Sequence, residues 1–255
     1  MKPFNRGLLV VVVGVITLQL ALTDAYLHFL RPSMRPYLIA AGAAFVVLGA
    51  VVSFGAWRDE RRARVGAADH HDDTDHADHD HHHATWVPWL LVLPVLVGVL
   101  APAALNAYAT ARATPYNQRS WPLQNFDVKK YLQTQTIAGG EPEIPLSDYI
   151  GAGLRRSNLQ FLETHDVRVL GFVDAPTDTT PRHFRLTRFR ISCCAADATP
   201  MQVDVRVSGS ERVPATNHWV EATVRLLPTP ERSILRVDAT SLKPVSEPSR
   251  PYDYN

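Results

Sequence analysis

Three long apolar runs within the first 110 positions constrain this chain more than any other feature. They extend from about Gly7 to Leu30, from about Tyr37 to Trp57 and from about Trp86 to Tyr108. A membrane-spanning helix needs ~20 mostly apolar residues. Lipid offers no water to backbone N–H and C=O groups, so each run must pair them internally, as a helix. Trp57, Trp86 and Trp89 stand at run ends, where an amphipathic indole favours the headgroup level. Pro88, Pro94 and Pro102 kink the third run, which neighbouring helices tolerate. Lys2 and Arg6 ahead of an apolar stretch also suit a secretory leader. The run is long, however, no A-x-A site follows it, and Asp24 and His28 interrupt its end, so a retained helix is expected.

Arg58, Arg61, Arg62 and Arg64 follow the second run, while Arg31, Arg35, Arg112 and Arg119 lie on the other side. With Lys2 and Arg6 counted, the positive-inside bias puts the N-terminus and the 58–85 loop in the cytoplasm. Three spans then leave the remaining chain outside the cell membrane. Asp24 and His28 are four residues apart and share a helix face. They form either an interfacial polar cluster near Arg31 or a proton or metal relay.

Between the second and third runs lies DHHDDTDHADHDHHH, residues 69–83. His70, His71, His76, His79, His81, His82 and His83 alternate there with aspartates. Such a segment has no apolar residue beyond Ala and cannot build a core. Neutral imidazole suits zinc, copper and nickel, and so many ligands can close several alternative four-coordinate shells. Graded, exchangeable binding of zinc or another transition metal is expected. It weakens below the histidine pKa of ~6.5, because protons compete for the rings. The plain alternative is a solvated spacer.

The rest of the chain is ordinarily polar. Residues 111–164 are a Pro- and Gly-bearing linker with helical pieces expected at 126–134 and 146–163. From His165 the pattern turns to alternation and β-branched residues, which predicts strands at 165–174, 182–192, 200–208, 217–226 and 233–242. Five short strands over 165–247 suit a small closed barrel of the OB type, with a sandwich as the alternative. Residues 248–255 are left as a tail. The second strand carries Arg182, Phe184, Arg185, Arg188, Phe189 and Arg190. Its phenylalanines and Leu186 are expected in the core and its arginines on a solvated or lipid-facing side. A formal charge of +1 over 255 residues gives no general case for nucleic-acid binding.

The two cysteines are neighbours, Cys193 and Cys194, and build no disulfide framework. Three roles stay open. The pair is chemically silent, or a strained, reducible vicinal disulfide, or a thiolate ligand pair completed by Asp197, His183 or His218.

RFRISCCAADATPMQVDV (188–205) resembles the signature of the YcgQ-like family of permease-associated membrane proteins. YLHFLRPSMRPYLIAAGAAFVVLGA (26–50), LGFVDA (170–175), NHWVEATV (217–224) and the closing PYDYN (251–255) extend the likeness over nearly the whole chain. The resemblance implies a membrane region followed by an OB-like domain, a multi-pass permease as partner, and a link to zinc handling. It supplies no catalytic residue, and no G-x-S-x-G, H-E-x-x-H or P-loop pattern is present. The expected function is a non-enzymatic accessory subunit of a multi-pass permease. A membrane-tethered thiol redox protein using Cys193 and Cys194, and a stand-alone metal buffer or sensor, are the alternatives.

Overall fold

The computed structural model describes residues 3–66, 104–113, 126–137, 143–174, 182–208, 211–228 and 234–254. The chain divides into two compact units. One comprises residues 1–26 and 32–103, the other residues 27–31 and 104–255.

In the first unit, α1 (Pro3–Leu22) and α2 (Arg35–Gly66) pack together. Pro3 opens α1, where a missing N–H costs nothing. Gly7 and Gly14 on α1, and Gly42 and Gly49 on α2, are each seven residues apart and so recur on one helix face. They let the two backbones touch: a Cβ placed on Gly49 would lie 2.7 Å from the Gly7 carbonyl oxygen. Small residues at a helix–helix seam are the packing rule in lipid, where burial of apolar surface gives no drive to associate. At the end of α1 the last carbonyls lack helical partners. Arg35 fills that need by donating from Nε to Ala21 O (3.1 Å) and from Nη2 to Leu22 O (3.5 Å).

Both helices are long and apolar enough to cross a membrane. Most of their apolar surface faces outward, as at Val15, Leu22, Val47, Leu48, Val51 and Phe54. A soluble core helix would bury these side chains. Beyond Trp57 the sequence of α2 turns polar, and Arg61 stacks 3.9 Å over the Trp57 ring.

Two sequence expectations change. The first helix ends at Leu22 rather than near Leu30, and Asp24–His28 form a separate 3-10 turn. Asp24 and His28 therefore do not share a membrane-helix face. The His28 ring instead meets Glu247 at 3.1 Å. The third expected helix lies mostly outside the described residues. Its last described part is not helical at Ala104–Asn106, and only the single turn α3 (Ala107–Thr110) follows.

The second unit is built on a closed five-strand barrel. β1 (Val167–Asp174), β2 (His183–Ile191), β3 (Thr199–Val207), β4 (Trp219–Leu226) and β5 (Leu235–Val245) match the predicted strands within a few residues. β1 pairs with β2, β2 with β3, β3 with β5, β5 with β4, and β4 returns to β1. All these pairs are antiparallel except β3–β5. Closure is tight where β1 meets β2: a Cβ on Gly171 would lie 2.8 Å from Thr187 O. A sixth short strand, β6 (Asp253–Tyr254), pairs in parallel with Arg190 and Ile191 of β2.

Alternation sends one side of each strand inward. Val169, Leu186, Val203, Val220, Val224 and Val237 are fully buried in the main core. The segment set apart as a linker contributes to that core as well. α4 (Val128–Ile137), α5 (Leu146–Gly153) and α6 (Arg156–Thr164) bury Val128, Leu146, Tyr149, Ile150 and Leu162 there. The outer side carries a second apolar cluster of Phe172, Phe189, Ile191, Trp219 and Tyr252 with Ala104. Phe172 stacks on Phe189 at 6.0 Å between ring centroids and meets Trp219 edge-on at 5.7 Å. Leu105, Ala107 and Ala109 pack on this cluster.

The arginines of β2 are not a solvated row. Arg185 faces Asp204, its register partner on β3, at 3.3 Å. Arg188 and Arg190 are buried. Elsewhere on the barrel Arg206 pairs with Asp238 and Arg225 with Asp166, both at 2.9 Å, and Arg168 with Glu221 at 3.4 Å. Such partly exposed pairs contribute about 0–1 kcal/mol each. Their clearer effect is on charge, since these arginines are matched by carboxylates of the same barrel.

Candidate metal centre

β2 ends at Ile191, and the chain turns sharply through Ser192–Ala198 before β3 begins. The turn is organised by one carboxylate. Asp197 Oδ1 accepts the Ser192 N–H at 2.8 Å, and Oδ2 accepts the N–H groups of Cys193 (2.8 Å) and Cys194 (3.5 Å). Cys194 is the N-cap of a single 3-10 turn, Ala195–Asp197, and its sulfur accepts the Asp197 N–H in return. This is the reciprocal logic of a capping box, written with cysteine in place of serine or threonine.

The same turn brings the thiols together. Cys193 and Cys194 are both free, with Sγ atoms 3.7 Å apart. One ligand atom from each of Cys193, Cys194 and Asp197 falls within a 4.8 Å span. Plain strand alternation would aim neighbouring side chains to opposite faces. They converge because the strand has already ended, at Ile191, and the Asp197 cap curls the backbone. Two zinc–thiolate bonds of ~2.3 Å at a tetrahedral angle span roughly 3.8 Å, so the sulfur separation is that of a tetrahedral chelate.

The electrostatics of the turn favour a protonated Cys193. The Asp197 carboxylate accepts a hydrogen bond from the thiol, and with the neighbouring Cys194 this pushes the Cys193 pKa up to about 11. Asp197 moves the other way. Burial alone would raise it, but the Cys193 thiol and the three backbone N–H groups outweigh that and hold it below the usual carboxylate range.

His183 and His218 do not join this group. Among the described residues it consists of Cys193, Cys194 and Asp197 alone. His183 opens β2 while the cysteines follow its end, and the strand from His183 to Ile191 alone spans roughly 26 Å at ~3.3 Å per step. His218 Nδ1 lies 3.4 Å from Thr216 O. His70, His71, His76, His79, His81, His82 and His83 lie outside the described residues.

One polar cluster carries no sequence motif. Arg188, Asp253, Glu143 and Asp148 line a cleft of about 290 Å³ with Tyr252 and Tyr254. Arg188 Nε lies 3.1 Å from Asp253 Oδ1, and its Nη2 donates to Arg250 O at 2.8 Å. Asp253 Oδ2 accepts the Ser147 N–H at 2.9 Å. It thereby serves the first turn of α5, whose own N-cap residue, Pro145, has no capping side chain. Burial raises the Glu143 and Asp148 carboxyls, and nearby Asp253 raises both further. Arg188 opposes the shift at Glu143 and Arg190 opposes it at Asp148. The sequence carries no local signal for this cluster, because Arg188 reads as part of a solvated or lipid-facing side and Asp253 as part of a tail.

The described residues thus define a protein with two apolar helices suited to a membrane and a closed β-barrel bearing a Cys–Cys–Asp turn. The chain carries both domains of the DUF1980 family: residues 5–114 match the DUF1980 N-terminal domain and residues 154–255 the DUF1980 C-terminal domain. Among solved structures it is similar to a DUF3299 family protein from Pseudomonas aeruginosa PAO1, at 16% identity and a TM-score of 0.23. That match takes in 34% of this chain and 64% of the other, so the chain spans just under two thirds of that structure's length. No curated protein matches the chain.

Proposed function

We propose that this protein is a non-enzymatic, membrane-anchored accessory subunit of a multi-pass permease, and that its barrel holds a thiophilic divalent cation such as zinc at Cys193, Cys194 and Asp197. The barrel is of the OB type, with strand order 1-2-3-5-4-1, and lies outside the cell membrane. The histidine-rich segment 69–83 is cytoplasmic and buffers the same class of metal. The YcgQ-like resemblance supplies the permease partner. The observation that carries the metal reading is the convergence of two sulfurs and a carboxylate oxygen within 4.8 Å.

The thiol redox alternative stands behind it. A Cys193 thiol at about 11 is almost wholly protonated at neutral pH, and only the thiolate attacks a disulfide. A metal ion displaces that proton and compensates the lost charge, so binding strengthens as pH rises.

The test uses the full chain in detergent, with residues 69–83 deleted so that only the barrel competes for metal. Cadmium should bind at one equivalent with a sulfur-to-metal charge-transfer band, and Cys193→Ser with Cys194→Ser should abolish it. An unchanged band in the double variant removes the metal site. The partner is tested by purifying the intact chain from native membranes, where absence of a co-purifying multi-pass protein removes the permease role.

A further inference from the structure

The backbone of the cysteine turn is satisfied from two sides. Asp197 takes the N–H groups of Ser192, Cys193 and Cys194. The remaining groups around Cys194 pair with a distant stretch, Phe29–Arg31, which forms part of the barrel unit. Ala195 N donates to Phe29 O at 2.7 Å, Arg31 N donates to Cys193 O at 3.1 Å, and Leu30 bridges antiparallel to Cys194 between them. These pairs tie the bent backbone around Cys194 to Phe29–Arg31. The shape of the turn is therefore supported by that stretch as well as by Asp197.

The residue just before that stretch, His28, is anchored by its ring to Glu247 and by its carbonyl to a buried tyrosine hydroxyl. Tyr252 Oη donates to His28 O at 2.9 Å and accepts the Leu105 N–H at 3.1 Å. The Tyr252 ring is buried with Phe172, Phe189 and Trp219, so the hydroxyl is delivered from a rigid base. The residues after it, Asp253 and Tyr254, pair with Arg190 and Ile191, the residues that lead into Ser192 and Cys193. Tyr252 thus joins the segment before the turn and the segment that pairs with it.

We propose that Phe29–Arg31 and the Tyr252 hydroxyl are positioning elements of the Cys193–Cys194 turn, fixing the spacing of the two sulfurs. The affinity arm of the test rests on the metal reading, and the exchange arm does not. Tyr252→Phe removes the hydroxyl and leaves the ring in its cluster. In the full-length protein without metal, amide exchange in peptides covering 29–31 and 193–195 should quicken about tenfold, the scale of one buried hydrogen bond. Alkylation of both cysteines should quicken with it. With cadmium, in the chain lacking residues 69–83, the dissociation constant should weaken about tenfold while the charge-transfer band keeps its stoichiometry, because a less pre-organised site binds at a cost. Arg206→Ala, which breaks an ion pair on β3 and β5, is the control and should move neither readout.

Unchanged exchange and alkylation in Tyr252→Phe overturn the inference. So does an Arg206→Ala variant that loosens the turn equally. If the chain lacking residues 69–83 takes up no cadmium while Tyr252→Phe still loosens the turn, the metal reading fails and the positioning role stands. Should Tyr252→Phe not fold, Arg31→Pro removes the N–H given to Cys193 O and carries the same exchange and alkylation readouts.

Discussion

Asp197 is the residue on which the cysteine turn depends twice, as backbone cap and as the acceptor for the Cys193 thiol. The two roles have opposite consequences for reactivity. The cap gathers the sulfurs, and the negative charge keeps Cys193 protonated. Asp197→Asn should let the Cys193 pKa fall from about 11 toward its ordinary value of 9.0. At pH 8 that raises the thiolate fraction about 100-fold, so the pH profile of iodoacetamide alkylation should shift down by the same interval. A profile that stays near 11 would show that Asp197 does not control the thiol. The carboxylate has its own linkage to stability. Its folded pKa lies below its unfolded one, so its contribution is present above the unfolded value of ~3.9 and is lost as pH falls through the folded value. Burial sets Glu143 and Asp148 the other way: with raised folded pKa values, their charges oppose folding at neutral pH, and acidification relieves that cost.

Among the elements, the α1–α2 hairpin depends on backbone contact at glycines rather than on side-chain volume. Gly49→Leu should drive a side chain into the Gly7 carbonyl and Val11, and overpacking of this kind typically costs about 1–3 kcal/mol. The thermal midpoint of the detergent-solubilised chain should fall, and a Gly55→Leu control, with open space around its Cβ, should not move it. The strands were legible because alternation and β-branched residues act locally, and all five fell where the pattern put them. The apolar runs were legible for composition but not for length. α1 stops at Leu22 because Arg35, thirteen residues on, takes its last carbonyls, a contact no local pattern shows. The Cys193–Asp197 grouping could be listed from ligand types, yet its geometry depends on a turn that cancels strand alternation. The exclusion of His183 follows from strand length. The Arg188–Asp253 pair was out of reach of the sequence, since it joins β2 to residues that read as a tail.

For the whole molecule, the two apolar helices set where the protein can exist. Their outward-facing Leu, Val and Phe side chains would be exposed to water in any soluble form. The chain should therefore stay in the pellet when the membranes that carry it are washed with alkaline carbonate, and its release into the supernatant would dispose of the membrane reading. The contact between Asp253 and the first turn of α5 has a bearing on biosynthesis. The carboxylate that finishes the helix is separated from Ser147 by 106 positions. A ribosome adding about 5–20 residues each second needs several seconds or more to cover that distance. Through that interval the Ser147 N–H lacks this acceptor, and Arg190 and Ile191 of β2 lack the partner that β6 supplies. The five barrel strands are all made before this fastening exists, and it is added only once Asp253 has been synthesised.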